Sequence, residues 1–152
     1  MNYNLYLIKL AKNEETLQDD IIGRTKFRYS SDMSQDEIYD AIRGYWEISD
    51  TSFEEADFFL GLTPEDDSGT RFKIAMEIRH YKDSLTTVTE DESNASDGRI
   101  KPGTKYFEGD RTTDETKSET NLVGKIVQFD VPSENRKLKI TSDELEQFIV
   151  ED

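Results

Sequence analysis

Residues Met33 to Ile48 read MSQDEIYDAIRGYWEI, and this stretch decides the fold class because a legible helix start runs directly into an aromatic cluster suited to a strand. Ser34 followed three residues later by Glu37 forms a capping box: the serine hydroxyl accepts from a first-turn amide and the glutamate reaches back to the amide of Ser34. A helix therefore starts at Gln35. Ile38, Ala41 and Ile42 share one apolar face, and Asp36, Glu37 and Asp40 sit toward the end where the helix dipole favours negative charge. Arg43 complements the other end, and Gly44 predicts a left-handed stop. Tyr45-Trp46-Glu47-Ile48, with the single tryptophan of the chain, predicts a strand leaving the helix.

Outward from this segment, most of the chain reads as short strands. Tyr3 to Leu10 is the first, followed by an acidic turn at Asn13-Glu14-Glu15. Ser52 to Asp57 predicts a short helix, and Phe58 to Leu62 a buried strand. Phe72 to Tyr81 carries the strongest alternation, with Phe72, Ile74, Met76 and Ile78 predicted on one face and Lys73, Glu77 and Arg79 on the other. Residues 83–103 have little to bury and predict a flexible acidic loop. Lys105 to Glu108, Val123 to Val131 and Lys137 to Ile140 predict further strands, with a polar connection from Asp110 to Thr120. Thr141 and Glu144 make a second capping box, predicting a C-terminal helix over 141–152 with Leu145, Phe148 and Ile149 as its apolar stripe.

Residues 1–152 thus read as a single α+β domain on a strongly curved, mainly antiparallel sheet or small β-barrel with two or three short helices. A PUA-like barrel suits this order of elements by analogy.

Several of these residues, in this order, resemble a small bacterial domain found alone or attached to GIY-YIG-type endonuclease domains. Leu7-Ile8-Lys9-Leu10 resembles that family's first strand, and Met33-Ser34 with Ile38 to Trp46 its helix-to-strand segment. Ala56-Asp57-Phe58, Met76-Glu77-Ile78 and Val123-Gly124-Lys125 resemble its later elements, so the likeness runs over roughly residues 5–130. Two departures stand out: Thr63 to Thr70 lengthens the connection between the central strands, and Tyr81 takes the place of a family tryptophan. The resemblance implies a context of nucleic-acid processing or defence rather than an activity. The chain has no GIY-YIG motif of its own, which argues against inherited nuclease catalysis.

Composition narrows the classes further. With 34 acidic against 19 basic residues the formal net charge is -15, which opposes approach to a polyanion, because phosphate neutralisation supplies most non-specific affinity. A hydrophobic share of 34% and a mean hydropathy of -0.81 predict a modest core. The absence of cysteine removes disulfides, a thiolate nucleophile and cysteine-held metals. No long apolar run or secretory-type leader is read at the N-terminus, so no membrane partner and a cytoplasmic location are expected.

No catalytic constellation or cofactor motif emerges. His80 is the only histidine and has no nucleophile elbow to serve, so it reads as a polar residue at a strand end. The paired carboxylates Asp19-Asp20, Glu54-Glu55 and Asp66-Asp67 read as solvated charge, and Asp91 to Gly98 lacks the ligand pattern of a calcium loop. The binding candidates are Arg43, Tyr45, Trp46, Tyr81 and Lys125, where tryptophan would stack a flat ligand and arginine meet a phosphate or base edge. Arg24, Lys26 and Arg28 alternate with Thr25, Phe27 and Tyr29 as a basic strand face. Two readings follow. One is a non-catalytic module that reads a nucleotide or single-stranded nucleic acid, and it leads narrowly. The other is an acidic interaction or inhibitor protein that mimics nucleic acid toward a basic protein partner.

Overall fold

The helix read from Ser34 forms over Gln35–Arg43 (α1), with both bonds of the capping box in place: Glu37 N donates to Ser34 Oγ at 3.2 Å and Ser34 N to Glu37 Oε1 at 3.0 Å. A computed structural model of the chain describes residues 2–10, 15–16, 26–27, 33–44, 46–66, 68–95, 102–129 and 137–150. Gly44 has φ -172° and ψ 152°, so the helix ends in extended backbone and not in the predicted left-handed turn. The residues after it form no strand among those described. Trp46 makes a single bridge, exchanging backbone bonds of 2.9 and 2.8 Å with Lys105.

One seven-stranded sheet organises the chain. Asn4–Lys9 (β1) lies between Lys137–Thr141 (β10), which is antiparallel to it, and Phe58–Pro64 (β4), which is parallel. The parallel pair is connected through α1 and the short helix Asp50–Glu55 (α2), whose hydroxyl cap is Ser49. Beyond β4 comes Arg71–His80 (β5), which on its far side pairs with both Gly109–Thr112 (β8) and Ile126–Gln128 (β9). Ile149–Val150 (β11) closes the order against β9. Glu15–Thr16 (β2) with Lys26–Phe27 (β3), and Thr86–Thr87 (β6) with Lys105–Tyr106 (β7), form two separate pairs.

The C-terminal segment requires the sheet to curl. Six strands side by side would span about 24 Å at 4.8 Å per step. Seven residues, 142–148, carry the chain from β10 at one edge to β11 at the other. Five of them form Ser142–Glu146 (α4), so the link reaches only about 14 Å. The sheet therefore bends into a half-barrel, with α4 across its mouth and Leu145 fully buried beneath it. The second capping box is present, Glu144 N donating to Thr141 Oγ1 at 3.3 Å. The predicted C-terminal helix is nevertheless only five residues long, because Ile149 and Val150 pair with Val127 and Ile126 instead.

Both faces of the sheet are buried, and a β-bulge shifts the longest strand from one to the other. On the concave face lie Leu5, Leu7, Phe58, Leu60, Leu62, Val127 and Leu145, and on the convex face Ile8, Phe59, Ile42, Phe53 and Phe107. Gly61 pairs with Met76 but Leu62 pairs with Ile74, so Ala75 is the extra residue. Phe72 and Ile74 accordingly join the concave core, and Met76 and Ile78 the convex one. This corrects the prediction of a single apolar face. It also turns Glu77 into the concave layer at 2% exposure, opposite Leu60. Its carboxylate is satisfied there by Ser118 Oγ at 2.9 Å, Thr120 Oγ1 at 2.6 Å, Thr120 N at 3.0 Å and Glu119 N at 3.1 Å.

Three other segments differ from the sequence reading. Within the predicted loop 83–103, β6 and the helix Glu90–Ala95 (α3) form, and Val88 is 2% exposed; residues 96–101 lie outside the described part. The helix start there is a capping box, Thr89 with Glu92. The polar connection after Asp110 contains most of β8 and a 3-10 turn at Glu115–Lys117. The strand expected from Val123 shrinks to β9 because Gly124, at φ +90°, turns the chain just before it.

Two substitutions test this packing. A Cβ at Gly61 would lie 2.0 Å from Ile42 Cδ1, so Gly61→Ala should cost about 1–3 kcal/mol in urea unfolding, with part of the loss recovered in the Gly61→Ala/Ile42→Val double variant. Glu77→Gln swaps an acceptor for an amide facing donors and should cost about 3 kcal/mol. Unchanged midpoints would contradict the bulge register.

Candidate functional site

The last turn of α1 places Arg43 where the sequence reading wanted a ligand contact, but the guanidinium is already engaged. Its Nε donates to Asp40 Oδ1 at 2.8 Å and Nη1 to the Phe107 carbonyl at 3.5 Å, with Glu108 Oε1 at 3.9 Å; the side chain is 12% exposed. It also lies over the Tyr39 ring, 5.4 Å from the centroid, and Arg111 approaches the same ring at 5.3 Å. Tyr39 in turn is fixed through its hydroxyl, which bonds both the carbonyl and the amide of Gly109.

Trp46 is half-buried against the convex core, and its indole Nε1 donates to the Ile42 carbonyl at 2.7 Å. The ring thereby ends the helix by capping one of its orphan carbonyls. Tyr81 is 43% exposed and hydrogen bonds Asp110 through its hydroxyl, and this bond to the carboxylate pushes the phenol pKa up. Glu108 joins these residues, since Tyr81 N donates to the Glu108 carbonyl at 2.8 Å while its carboxylate faces Arg43. Lys125 stands elsewhere. Its carbonyl accepts from Ile74 N at 2.9 Å, seven residues and about 23 Å along β5 from Tyr81. Arg43, Trp46 and Tyr81 are thus neighbours at one end of α1, without Lys125. Tyr45, Arg24 and Arg28 lie outside the described residues, as does the side chain of Lys26 in β3.

His80 lies inside the convex core at 4% exposure. Its ring stands at 4.5 Å from Phe53, 4.8 Å from Phe59 and 6.4 Å from Phe107, centroid to centroid. Nε2 lies 2.8 Å from the Phe53 carbonyl, which makes it the protonated nitrogen, and Nδ1 is buried without a partner. Burial in this aromatic box lowers the pKa to about 4. The imidazole is neutral at physiological pH and is enclosed by core rings, so it serves packing and not proton transfer to a substrate.

The other groups with chemistry to offer line two clefts. One, of about 280 Å³, lies at the ends of β1 and β10 beneath α2 and includes Tyr6, Ser52, Glu55, Lys139 and Glu144. The other, of about 240 Å³, lies beside the bulge and includes Thr63, Lys73 and Glu115. Sequence reasoning missed the first because its residues come from four separate elements, and Glu55 reads only as solvated charge. Among the described residues no three His, Cys, Asp or Glu side chains are grouped to hold a metal. No described helix is long and apolar enough to cross a membrane.

The charge distribution is uneven in use. Four of the described cations are drawn into internal pairs: Arg43 with Asp40, Lys105 with Asp50 at 2.7 Å, Arg79 with Glu119 and Arg111 with Asp36. Lys82 Nζ donates to the Ala56 carbonyl at 2.6 Å, which seats residues 82–83 against α2. Six exposed carboxylates stand where β1 and β4 begin and β5 and β10 end, Glu54, Glu55, Asp57, Asp83, Asp143 and Glu144, and others are spread over the rest of the surface, Glu47, Glu65 and Glu90 among them. Compared with family models, curated proteins and solved structures, the chain finds no match.

His80 gives this region a pH signature. The folded state disfavours its protonation while the unfolded chain accepts a proton near the ordinary value of 6.5. Its contribution is therefore full above pH 6.5 and is lost as pH falls toward about 4, reaching about 3 kcal/mol. Urea unfolding between pH 7 and 5 should show this decline, and a His80→Asn variant should lack it; equal slopes in the two proteins would place the imidazole in solvent.

Proposed function

We propose that the protein is a non-catalytic interaction module whose acidic end docks on a basic protein surface, in the manner of a nucleic-acid mimic. One observation carries this reading: Arg43, Arg79, Lys82, Lys105 and Arg111 are spent on internal carboxylates and carbonyls, while six exposed carboxylates stand at one end of the sheet. A net charge of -15 extends that field over the whole molecule. Carboxylates presented this way supply salt-sensitive steering toward a basic partner. The competing module, a reader of nucleotides or single strands, requires Arg43 to offer a guanidinium edge to a phosphate or base. Its Nε and Nη1 atoms face Asp40 and the Phe107 carbonyl instead. A setting in nucleic-acid processing or defence, implied by the family resemblance, suits a protein that competes for a nucleic-acid-binding surface.

The test is fluorescence anisotropy with labelled duplex DNA, single-stranded DNA, single-stranded RNA and a lysine- and arginine-rich peptide, each at about 50 and 200 mM salt. The expected result is saturable binding of the peptide alone. It should weaken as salt rises, and by roughly tenfold or more in a Glu54→Gln/Asp83→Asn/Asp143→Asn variant. Binding of a single strand that is lost in folded Arg43→Ala and Trp46→Ala variants would overturn this reading in favour of the nucleic-acid reader.

A further inference from the structure

The cleft beneath α2 carries a second inference, which shares Glu55 and Glu144 with the acidic end but does not rest on the acidic-partner reading. Tyr6 and Lys139 are directly paired across β1 and β10, so their side chains project side by side on the same face. Ser52 and Glu55 occupy successive turns of α2 above them. Ala56 and the Tyr6 ring supply the apolar side chains of the lining, since those of Leu5 and Ile140 turn into the concave core. The volume of about 280 Å³ equals roughly nine water-sized groups.

Three polar groups in this cleft are incompletely used. Tyr6 is 7% exposed, and its hydroxyl has no hydrogen-bond partner. That oxygen is not sealed in the core, because His80 Nδ1 is the buried unpartnered side-chain atom among the described residues. Burial raises the Tyr6 pKa, so the phenol stays protonated and able to donate. Lys139 Nζ meets only Ser52 Oγ, at 3.2 Å, and pairs with no described carboxylate despite the acidic surroundings. Glu55 offers a carboxylate with no partner among the described residues, one helical turn and about 5 Å from Ser52.

These groups set a donor pole and an acceptor pole apart in one small cleft. A free anion would be repelled by Glu55, Glu144 and the net charge, and a simple cation would meet Lys139. A ligand bearing both charges satisfies both walls. We propose that this cleft binds a small zwitterion of the α-amino-acid class: its carboxylate on Lys139, Ser52 and the Tyr6 hydroxyl, its ammonium on Glu55, and an aliphatic side chain against Ala56 and the Tyr6 ring.

Backbone amide NMR with leucine, valine and methionine as probes tests the site, with N-acetylleucine and leucinamide as analogues that each lack one charge. The expected outcome is saturable shifts confined to residues 4–6, 52–56, 139–141 and 144, with at least one of the three amino acids, and affinity at least tenfold weaker for the analogues. Lys139→Met and Glu55→Gln should weaken binding by a similar factor. Tyr6→Phe should do the same while leaving the melting temperature equal or higher, because the hydroxyl removed makes no bond in the fold. The proposal is overturned by the absence of saturable shifts with all three amino acids, by analogues that bind as well as leucine, or by wild-type affinity in the Lys139→Met and Tyr6→Phe variants.

Discussion

The extra residue at Ala75 is the constraint on which the two-sided architecture depends. A strand that kept strict alternation would send all its apolar residues to one face and leave the other face of the sheet short of cover. Breaking the alternation once lets β5 contribute Phe72 and Ile74 to the concave core and Met76 and Ile78 to the convex one. The same shift explains why a glycine stands opposite. Gly61 lies beside Met76 on the convex face, where the Ile42 side chain of α1 occupies the volume a Cβ would need. Helix, glycine and bulge are therefore one arrangement and not three separate features.

The shift also determines what happens to Glu77. Turned inward, a carboxylate is tolerated only if its lone pairs are met, and residues 118–120 wrap around it to do so with two hydroxyls and two amides. That wrap organises the long polar segment leading to β9. The convex core handles its histidine in the opposite way. His80 stays uncharged, with one nitrogen bonded and the other surrounded by rings. Among the described residues one carboxylate is thus clamped inward, while Asp40, Asp50, Asp36 and Glu119 partner cations.

Local chemistry made part of this legible in the sequence. The Ser34–Glu37 and Thr141–Glu144 boxes are short-range signals and both are present, as are the strands that begin near Tyr3 and at Phe58. The Thr89–Glu92 box was readable by the same rule but sits among acidic residues that suggest only solvation. The bulge was not readable, because Phe72, Ile74, Met76 and Ile78 alternate without interruption and only the partner strand shows that Ala75 is out of register. The end of α4 was hidden likewise, since Ile149 and Val150 suit an apolar stripe and a strand equally until β9 is there to pair with them. For the candidate site, adjacency of Arg43 and Trp46 in sequence pointed to shared exposure, whereas their polar atoms turn to Asp40 and Ile42. The cleft of Tyr6, Ser52, Glu55 and Lys139 has no sequence signature, because tertiary contacts alone assemble it.

The short tie across the mouth of the half-barrel bears on how the chain is made. β10 and β11 occupy opposite edges of the sheet and both lie after every other strand in sequence. During synthesis β1 and β9 therefore present unsatisfied edges to solvent until residues 137–150 have emerged, and the concave core stays open without Leu145. Pairing Asn4 with Thr141 closes a loop of nearly the whole described chain, a long-range contact of the kind that makes folding slow. A net charge of -15 favours mutual repulsion between chains, which opposes edge-to-edge association of such exposed strands.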